Sequence, residues 1–274
     1  MAHTEGQQQR YGNMVLAKLR ASLVTRDQLI FNTAFEGTPT AGMVKVPVRD
    51  TEVTVRNYSK DKGLQLETGS TTYFDLPIDK DKAVNELIDG FDAAAVPDGI
   101  IAERLDSAGY SLALGIDKES INLLETGGTK MADTTAVSKS NILSKIIEAR
   151  TALSKANVPL DMRYLIVNPE VYGYLLVSDE FIKQGDLSQE LVARGVVGRV
   201  AGFNVFESSN VADTTDFIAG HPGWSHRVME WMVQPHIQDL SGSGNFIGAS
   251  AVQGRLVYGQ KISRGLTVQV KAHA

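Results

Sequence analysis

The stretch from Pro97 to about Glu125, PDGIIAERLDSAGYSLALGIDKESINLLE, most constrains what this chain can fold into. Its apolar residues Ile101, Leu105, Ala108, Leu112, Ile116 and Leu123 step by three, four or seven, so one face of a helix collects them. At a rise of 1.5 Å per residue such a helix extends roughly 40 Å, more than a compact domain of modest size needs to span its own core. Pro97 suits a first helical turn, where its missing N–H would be unpaired anyway, and Asp98 complements the positive end of the helix dipole. Gly109 and Gly115 each cost about 1 kcal/mol relative to alanine in a helix interior. They predict close packing against another backbone, a bend, or a break into two helices.

Upstream, a polar terminus leads into an amphipathic segment in which Met14, Val15, Leu16, Leu19, Leu23, Leu29 and Ile30 alternate with Lys18, Arg20 and Arg26. This pattern predicts one or two short helices lying on a neighbouring surface, closed by Gly37 and Pro39. From Gly42 to about Asp79 the period changes. Val44, Val46 and Val48, then Val53 and Val55, then Leu64 and Leu66 beyond the polar turn YSKDKG, and finally Phe74, Leu76 and Ile78 read as strands. Pro47 and Pro77 confine the strands that carry them to edges or ends, because proline cannot donate to a central ladder. A hairpin this thin buries little by itself, so it is expected to lean on something outside its own domain.

Residues 80–96 are mixed and lead into the long helix, and ETGGTKMADTTAVSKS beyond it reads as a loop and a domain boundary. Ile142, Ile146, Ala149 and Leu153 then define a helical face that Ser138 or Ser140 can cap. Tyr164 to Val167 is an apolar strand. It ends in Asn168-Pro169-Glu170, an N-cap, a first-turn proline and an acidic first turn, which opens a helix carrying Val171, Leu175 and Leu176. This order predicts a compact α/β lobe over about 126–223. Gly195, Gly198 and Gly202 stand at turn-like spacing before the strands Phe203 to Phe206 and Phe217 to Ala219. Val228 to Met232, Gly254 to Tyr258 and Leu266 to Val270 add strands, expected in the sheet beside the long helix.

Chemistry-bearing motifs are missing from this pattern. Gly127-Gly128-Thr129-Lys130 lacks the order of a phosphate-binding P-loop, and Gly242, Gly244 and Gly248 miss the dinucleotide spacing. Gly109-Tyr110-Ser111 sits inside a helical pattern where no nucleophile elbow can form. His221 and His226 flank Gly223-Trp224-Ser225 without cysteine or an acidic cluster to complete a metal set, and Asp79-Lys80-Asp81-Lys82 reads as a solvated face. No catalytic, cofactor-binding or metal-binding residue is assigned, and no cofactor is expected. The chain of 274 residues has no cysteine, which removes disulfide and thiolate chemistry. A net charge of −5 argues against a dedicated nucleic-acid binder, and no segment approaches the length of a membrane span.

Three stretches carry a resemblance. The first is Arg163-Tyr164-Leu165-Ile166-Val167-Asn168-Pro169-Glu170-Val171-Tyr172, followed by Leu175-Leu176-Val177-Ser178. The second runs from Gly195-Val196-Val197-Gly198 through Arg199-Val200-Ala201-Gly202-Phe203-Asn204-Val205 to the polar Ser208-Ser209-Asn210. The third is Leu112-Ala113-Leu114-Gly115-Ile116-Asp117. In this order, behind an N-terminal arm and an extended hairpin, the chain resembles the major capsid proteins of tailed bacteriophages, the α+β HK97-like shell fold, over nearly its whole length.

The resemblance implies an N-terminal arm at 1–41, an extended loop (E-loop) at 42–80 that lies across a neighbouring subunit, a peripheral domain at 81–125 and 224–274 with the long helix as its spine, and an axial domain at 126–223. It also implies pentamers and hexamers in a closed shell, a portal protein, and double-stranded DNA packaged through weak non-specific contact. The implied location is the virion, assembled in the host cytoplasm. No N-terminal stretch is long enough for a fused scaffolding segment, so a separate scaffolding protein is expected. Nothing identifies the lysine, asparagine and acid of a covalent cross-link. Two rival readings are an encapsulin-type compartment, which shares the fold and encloses protein cargo, and a hydrolase using the histidines.

Overall fold

The 28-residue helix α1, Ile100–Gly127, runs unbroken through the molecule and touches both of its larger sheets. A computed structural model describes residues 21, 23–25, 28–34, 42–48, 52–61, 63–64, 66, 69, 71–89, 100–177, 182–183, 197–241 and 248–273, with 100–102 and 182–183 as backbone only. The expected helix start at Pro97 and Asp98, the segment Met14 to Leu19, and Gly37 and Pro39 lie outside the described residues. Gly109 and Gly115 do not break α1. A Cβ built on either would meet nothing within 4 Å, so close backbone packing is not why they are glycine.

Three sheets are present among the described residues. Strands β1 (Met43–Val48) and β2 (Thr72–Pro77) form an antiparallel pair of their own, with Val46 opposite Phe74 and Val44 opposite Leu76. The expected alternation holds in these two strands, while 52–58 between them carries no strand. Strand β3 (Lys80–Ile88) joins β10 (Ser225–Asp239) and β11 (Ser250–Ile262) in a three-stranded sheet of order β10-β11-β3. Segment 80–96 hid this strand because its helix-facing residues, Lys80, Lys82, Val84, Glu86 and Ile88, are mostly charged.

The seven-stranded sheet also contains β4 (Thr129–Lys130), β5 (Tyr164–Val167), β6 (Ile182–Lys183), β7 (Gly198–Val200), β8 (Phe203–Glu207), β9 (Thr215–Gly220) and β12 (Val268–Ala272), in the order β4-β12-β9-β5-β8-β7-β6. Strand β12 was expected beside the long helix with β10 and β11. It pairs instead with β9 and β4, because the chain leaves β11 through a 3-10 turn at Gly265–Thr267. Gly198 opens β7 rather than forming a turn. Gly202 forms the β7–β8 turn with Ala201, both at positive φ, and Gly195 lies outside the described residues.

Both faces of the seven-stranded sheet are covered, and the period of two along β5 shows how. Leu165 and Val167 pack with Phe203, Val205, Phe217 and Ala219 under α2 (Ile142–Lys155) and α3 (Pro169–Leu176). Tyr164 and Ile166 face the other way, against Ile121 and Leu124 of α1 and Leu29, Ile30 and Phe31 of the N-terminal segment. The α2 face buries Ile142, Ile146, Ala149 and Leu153 as its spacing predicts. Neither expected serine caps it. Asn141 is the N-cap residue, and its side-chain oxygen turns back to accept from the Ser138 N–H at 2.7 Å. On α3, Asn168 does cap, accepting from the Val171 N–H at 2.8 Å, with Pro169 in the first turn and Glu170 completing the acidic start.

The N-terminal half of α1 packs on the three-stranded sheet through Leu105 and Ala108, which meet Val84, Ile88 and Val252. This accounts for the helix length, since the three-stranded sheet follows it from Arg104 to Glu119 and the seven-stranded sheet meets it at Ile121 and Leu124. Strand β3 runs antiparallel to the helix: Lys80 pairs with Glu119 and Glu86 with Arg104. The match is metric, because six strand residues and fifteen helical residues both span about 20 Å.

Candidate assembly surfaces

The hairpin arm is fixed at its base and bare at its end. Val46 and Leu76 are buried, Phe74 packs on the His226 ring at 5.8 Å, and the Lys261 ammonium sits 4.6 Å above the Phe74 ring while donating to the Asp75 carbonyl at 3.0 Å. The closest approach is at Gly259 of β11, where a Cβ would lie 1.9 Å from the Pro77 carbonyl oxygen; any side chain there would lift the arm off the sheet. Between β1 and β2 every described residue from 52 to 71 is exposed. A turn closes at Ser59–Gly63 through the Gly63 N–H to the Ser59 carbonyl at 2.9 Å. On either side of it Val55 is 96% and Leu66 101% exposed, with Val53, Tyr58 and Leu64 also out in solvent. Leaving side chains of this size in water forgoes about 1.5–3 kcal/mol each relative to burial, so this end of the arm is an unfilled contact.

A second apolar surface lies along β10, where Met229, Trp231, Met232, Val233 and Ile237 are each close to half exposed. It borders a cleft of about 150 Å³ between α1 and the sheet, lined by Leu23, Gly109, Ala113, Ile116, Trp231 and Leu256 among others. The open space beside Gly109 belongs to this cleft. Leu160, Met162 and Leu266 are exposed as well.

Charge fixes the frame on which these surfaces sit. Lys80 and Lys82 both reach Glu119, at 2.9 and 2.7 Å, and the Tyr258 hydroxyl donates to the same carboxylate at 2.6 Å. Partial burial pushes the Glu119 carboxyl up, but the hydrogen bonds from Lys82, Tyr258 and Lys80 together outweigh it and hold the group down at about 2. The same carboxylate, after burial itself, pushes the Tyr258 phenol up. On the outer face of the sheet Asp81 takes a forked contact from Arg255, whose Nε lies 2.9 Å from one oxygen. The run Asp79-Lys80-Asp81-Lys82 is therefore more than a solvated face: alternate residues tie β3 to the helix and to β11.

Gly242 and Gly244 lie outside the described residues, and the other motifs set aside in the sequence have a structural place. Gly128 closes the step from α1 to β4, where a Cβ would lie 2.7 Å from the Leu124 carbonyl oxygen and 2.8 Å from Val270; this packing leaves no phosphate cradle. Gly109-Tyr110-Ser111 lies within α1, and the Tyr110 hydroxyl accepts from the Ala21 N–H at 2.7 Å. His221 accepts from the Gly223 N–H at 3.0 Å and leans on Trp224, His226 is buried with its Nε2 3.1 Å from the Ser263 hydroxyl, and His236 contacts the Gln234 carbonyl. Burial pushes both His221 and His226 down from the ordinary imidazole value. No group of three His, Cys, Asp or Glu suited to a metal occurs among the described residues, and no described helix is long and apolar enough to cross a membrane.

Sequence reasoning missed the buried charges Asp117, Arg163, Arg227 and Lys271. Only Asp117 had a signal. It stands one and two turns before the buried Ile121 and Leu124 on the same side of α1, where a carboxylate needs donors from another element.

Comparison with known proteins agrees with this architecture. A model of the family described as phage capsid protein matches residues 87–259, more than half of the chain. No curated protein matches. A solved chain from Mycobacterium phage Che8 is 25% identical, with 98% of each chain covered and a TM-score of 0.73. The capsid structure of cyanophage P-SCSP1u gives 14% identity over 97% of this chain and 92% of that one, with a TM-score of 0.75. The mature capsid of bacteriophage PhiM1 gives 16% identity over 97% and 91%, with a TM-score of 0.67. The encapsulin reading is not favoured by these matches. The chain belongs to the phage capsid protein family, as a structural major capsid protein of the tailed-phage type.

Proposed function

We propose that this protein builds a closed icosahedral head from pentamers and hexamers and encloses double-stranded DNA, with the β1–β2 arm lying across a neighbouring subunit as the E-loop. The observation that carries the reading is the arm itself, whose base is welded to β11 while Val53, Val55, Leu64 and Leu66 beyond it have nothing to cover them in one chain. Many copies of a modest contact make a strong shell, since each subunit already docked raises the effective concentration of the next contact.

In this reading 1–41 is the N-terminal arm, 42–80 the E-loop, 81–125 and 224–274 the peripheral domain, and 126–223 the axial domain, which meets its copies around the five- and six-fold axes. The pairing of β12 with β9 supports counting Val268–Ala272 with the axial unit. The protein resides in the virion and is assembled in the host cytoplasm, with a separate scaffolding protein and a portal as partners. Its acidic balance suits weak, non-specific contact with the packaged DNA. It works as a structural protein and has no enzymatic role, so replacing the half-buried His236 with Gln is expected to leave particle yield unchanged.

The test is electron microscopy and sedimentation of the protein expressed with its scaffold. Closed shells or capsomers are expected, with nucleic acid inside particles taken from infected cells. A stable monomer at high concentration under assembly conditions, or particles filled with protein cargo, would contradict the reading.

A further inference from the structure

We propose that Asp117 is a clasp that makes the seating of the N-terminal strap, residues 23–25 and 28–32, depend on the position of the seven-stranded lobe. One buried carboxylate serves two separate units. Its Oδ1 accepts from the Val24 N–H at 3.0 Å, the Thr25 N–H at 2.8 Å and the Thr25 hydroxyl at 2.8 Å, all on the strap. Its Oδ2 accepts from the Asn210 side-chain amide at 2.7 Å, on the loop that follows β8 in the seven-stranded lobe. The three-stranded sheet holds the remaining strap group, because the Arg227 guanidinium donates to the Thr25 carbonyl and lies 5.1 Å from the Phe31 ring. Backbone bonds from Asn32 to Ser225 and from Arg227 to Asn32 fasten the strap's far end.

Asp117 is only 2% exposed, so water cannot replace a lost donor without opening the packing. A shift of the lobe that withdraws Asn210 leaves a buried carboxylate oxygen bare. The cheapest relief is for the carboxylate to turn toward solvent, which drops the three strap donors together. Besides the apolar packing of Leu29, Ile30 and Phe31 on the lobe, the strap and the lobe are therefore coupled through one polar side chain, with α1 as the support. The loop has a second, exposed tie, the Ala212 N–H to the Glu125 carboxylate at 2.9 Å, and Val211 is buried in the core. Truncating Asn210 thus removes the donor without unseating the loop.

The experiment is hydrogen–deuterium exchange of the purified full chain, read on peptides covering 21–34, β5 and the β10–β11 pair. In Asn210→Ala, which removes the amide donor to Asp117 Oδ2, exchange at 21–34 should rise about tenfold while the other peptides stay within about twofold of wild type. Asp117→Asn should raise strap exchange at least as much. If Asn210→Ala leaves the strap at its wild-type rate while Asp117→Asn raises it, the carboxylate holds the strap without transmitting anything, and the proposal fails. A uniform rise across all peptides would also overturn it, as general loss of stability.

Discussion

At the scale of single residues, the structure depends on charges placed where no water reaches them. Arg163, 2% exposed, turns its guanidinium onto the end of α2, donating to the Pro159 carbonyl at 2.8 Å, the Val158 carbonyl at 2.6 Å and the Ser154 hydroxyl at 3.2 Å. It supplies donors to the Val158 and Pro159 carbonyls of the turn that follows α2, with the sign the dipole of that helix favours at its end. Arg163→Leu keeps the bulk and strands those carbonyls, so it should cost about 3 kcal/mol in chemical denaturation of the subunit. Lys271 does the same for the Asp133 and Thr135 carbonyls, both at 2.6 Å. Neither role could be read from the sequence, because which carbonyls a loop leaves open is decided by its path and not by its side chains. Glu119 gives a pH signature. Its carboxyl is held at about 2 in the folded chain, below the ordinary value of 4.5, so its contribution is fully present above that ordinary value and is lost as pH falls through the lower one. The denaturation midpoint of Glu119→Gln should therefore lie below wild type at pH 7, with the gap closing between about pH 4.5 and 2. A gap that stays constant over that window would show that the three donors do not stabilise the ionised form.

At the scale of elements, what could be read was whatever a period alone specifies. The buried face of α2, the strand Tyr164–Val167, the Asn168 cap and the alternation in β1 and β2 all follow from spacing and local hydrogen bonding, and the structure carries each. Strand β3 escaped because Lys80, Lys82 and Glu86 occupy its helix-facing positions and are neutralised by Glu119 and Arg104, partners far along the chain. The destination of β12 escaped for a related reason, since a strand's pattern says that it pairs and not with which strand. The glycines of α1 were noticed for a reason the structure does not support. They have open space around them, so Gly109→Ala should stabilise the isolated subunit by about 0.5–1 kcal/mol, the ordinary helix-propensity gain. A loss of stability in that variant would show that the cleft beside Gly109 closes in solution.

At the scale of the whole molecule, one helix carries two sheets, and the arm leaves that frame with its apolar end uncovered. The candidate surfaces were partly legible: the alternating run announced an arm that needs a partner. Which β10 residues would stand half exposed was not, because that depends on the free edge of a sheet whose third strand was hidden. The central claim is that the arm contributes little to its own chain and much to the shell. Joining Arg56 to Glu67 through a tight turn removes 57–66, including Leu64 and Leu66, and shortens the reach of Val53 and Val55. Even about 1 kcal/mol lost per contact recurs at every equivalent interface. The deciding measurement is particle yield by electron microscopy, set beside thermal unfolding of the isolated subunit, for this shortened chain and wild type. An unchanged unfolding midpoint with no stable shells is the predicted result. Shells at normal yield, or a subunit that no longer folds, would contradict it.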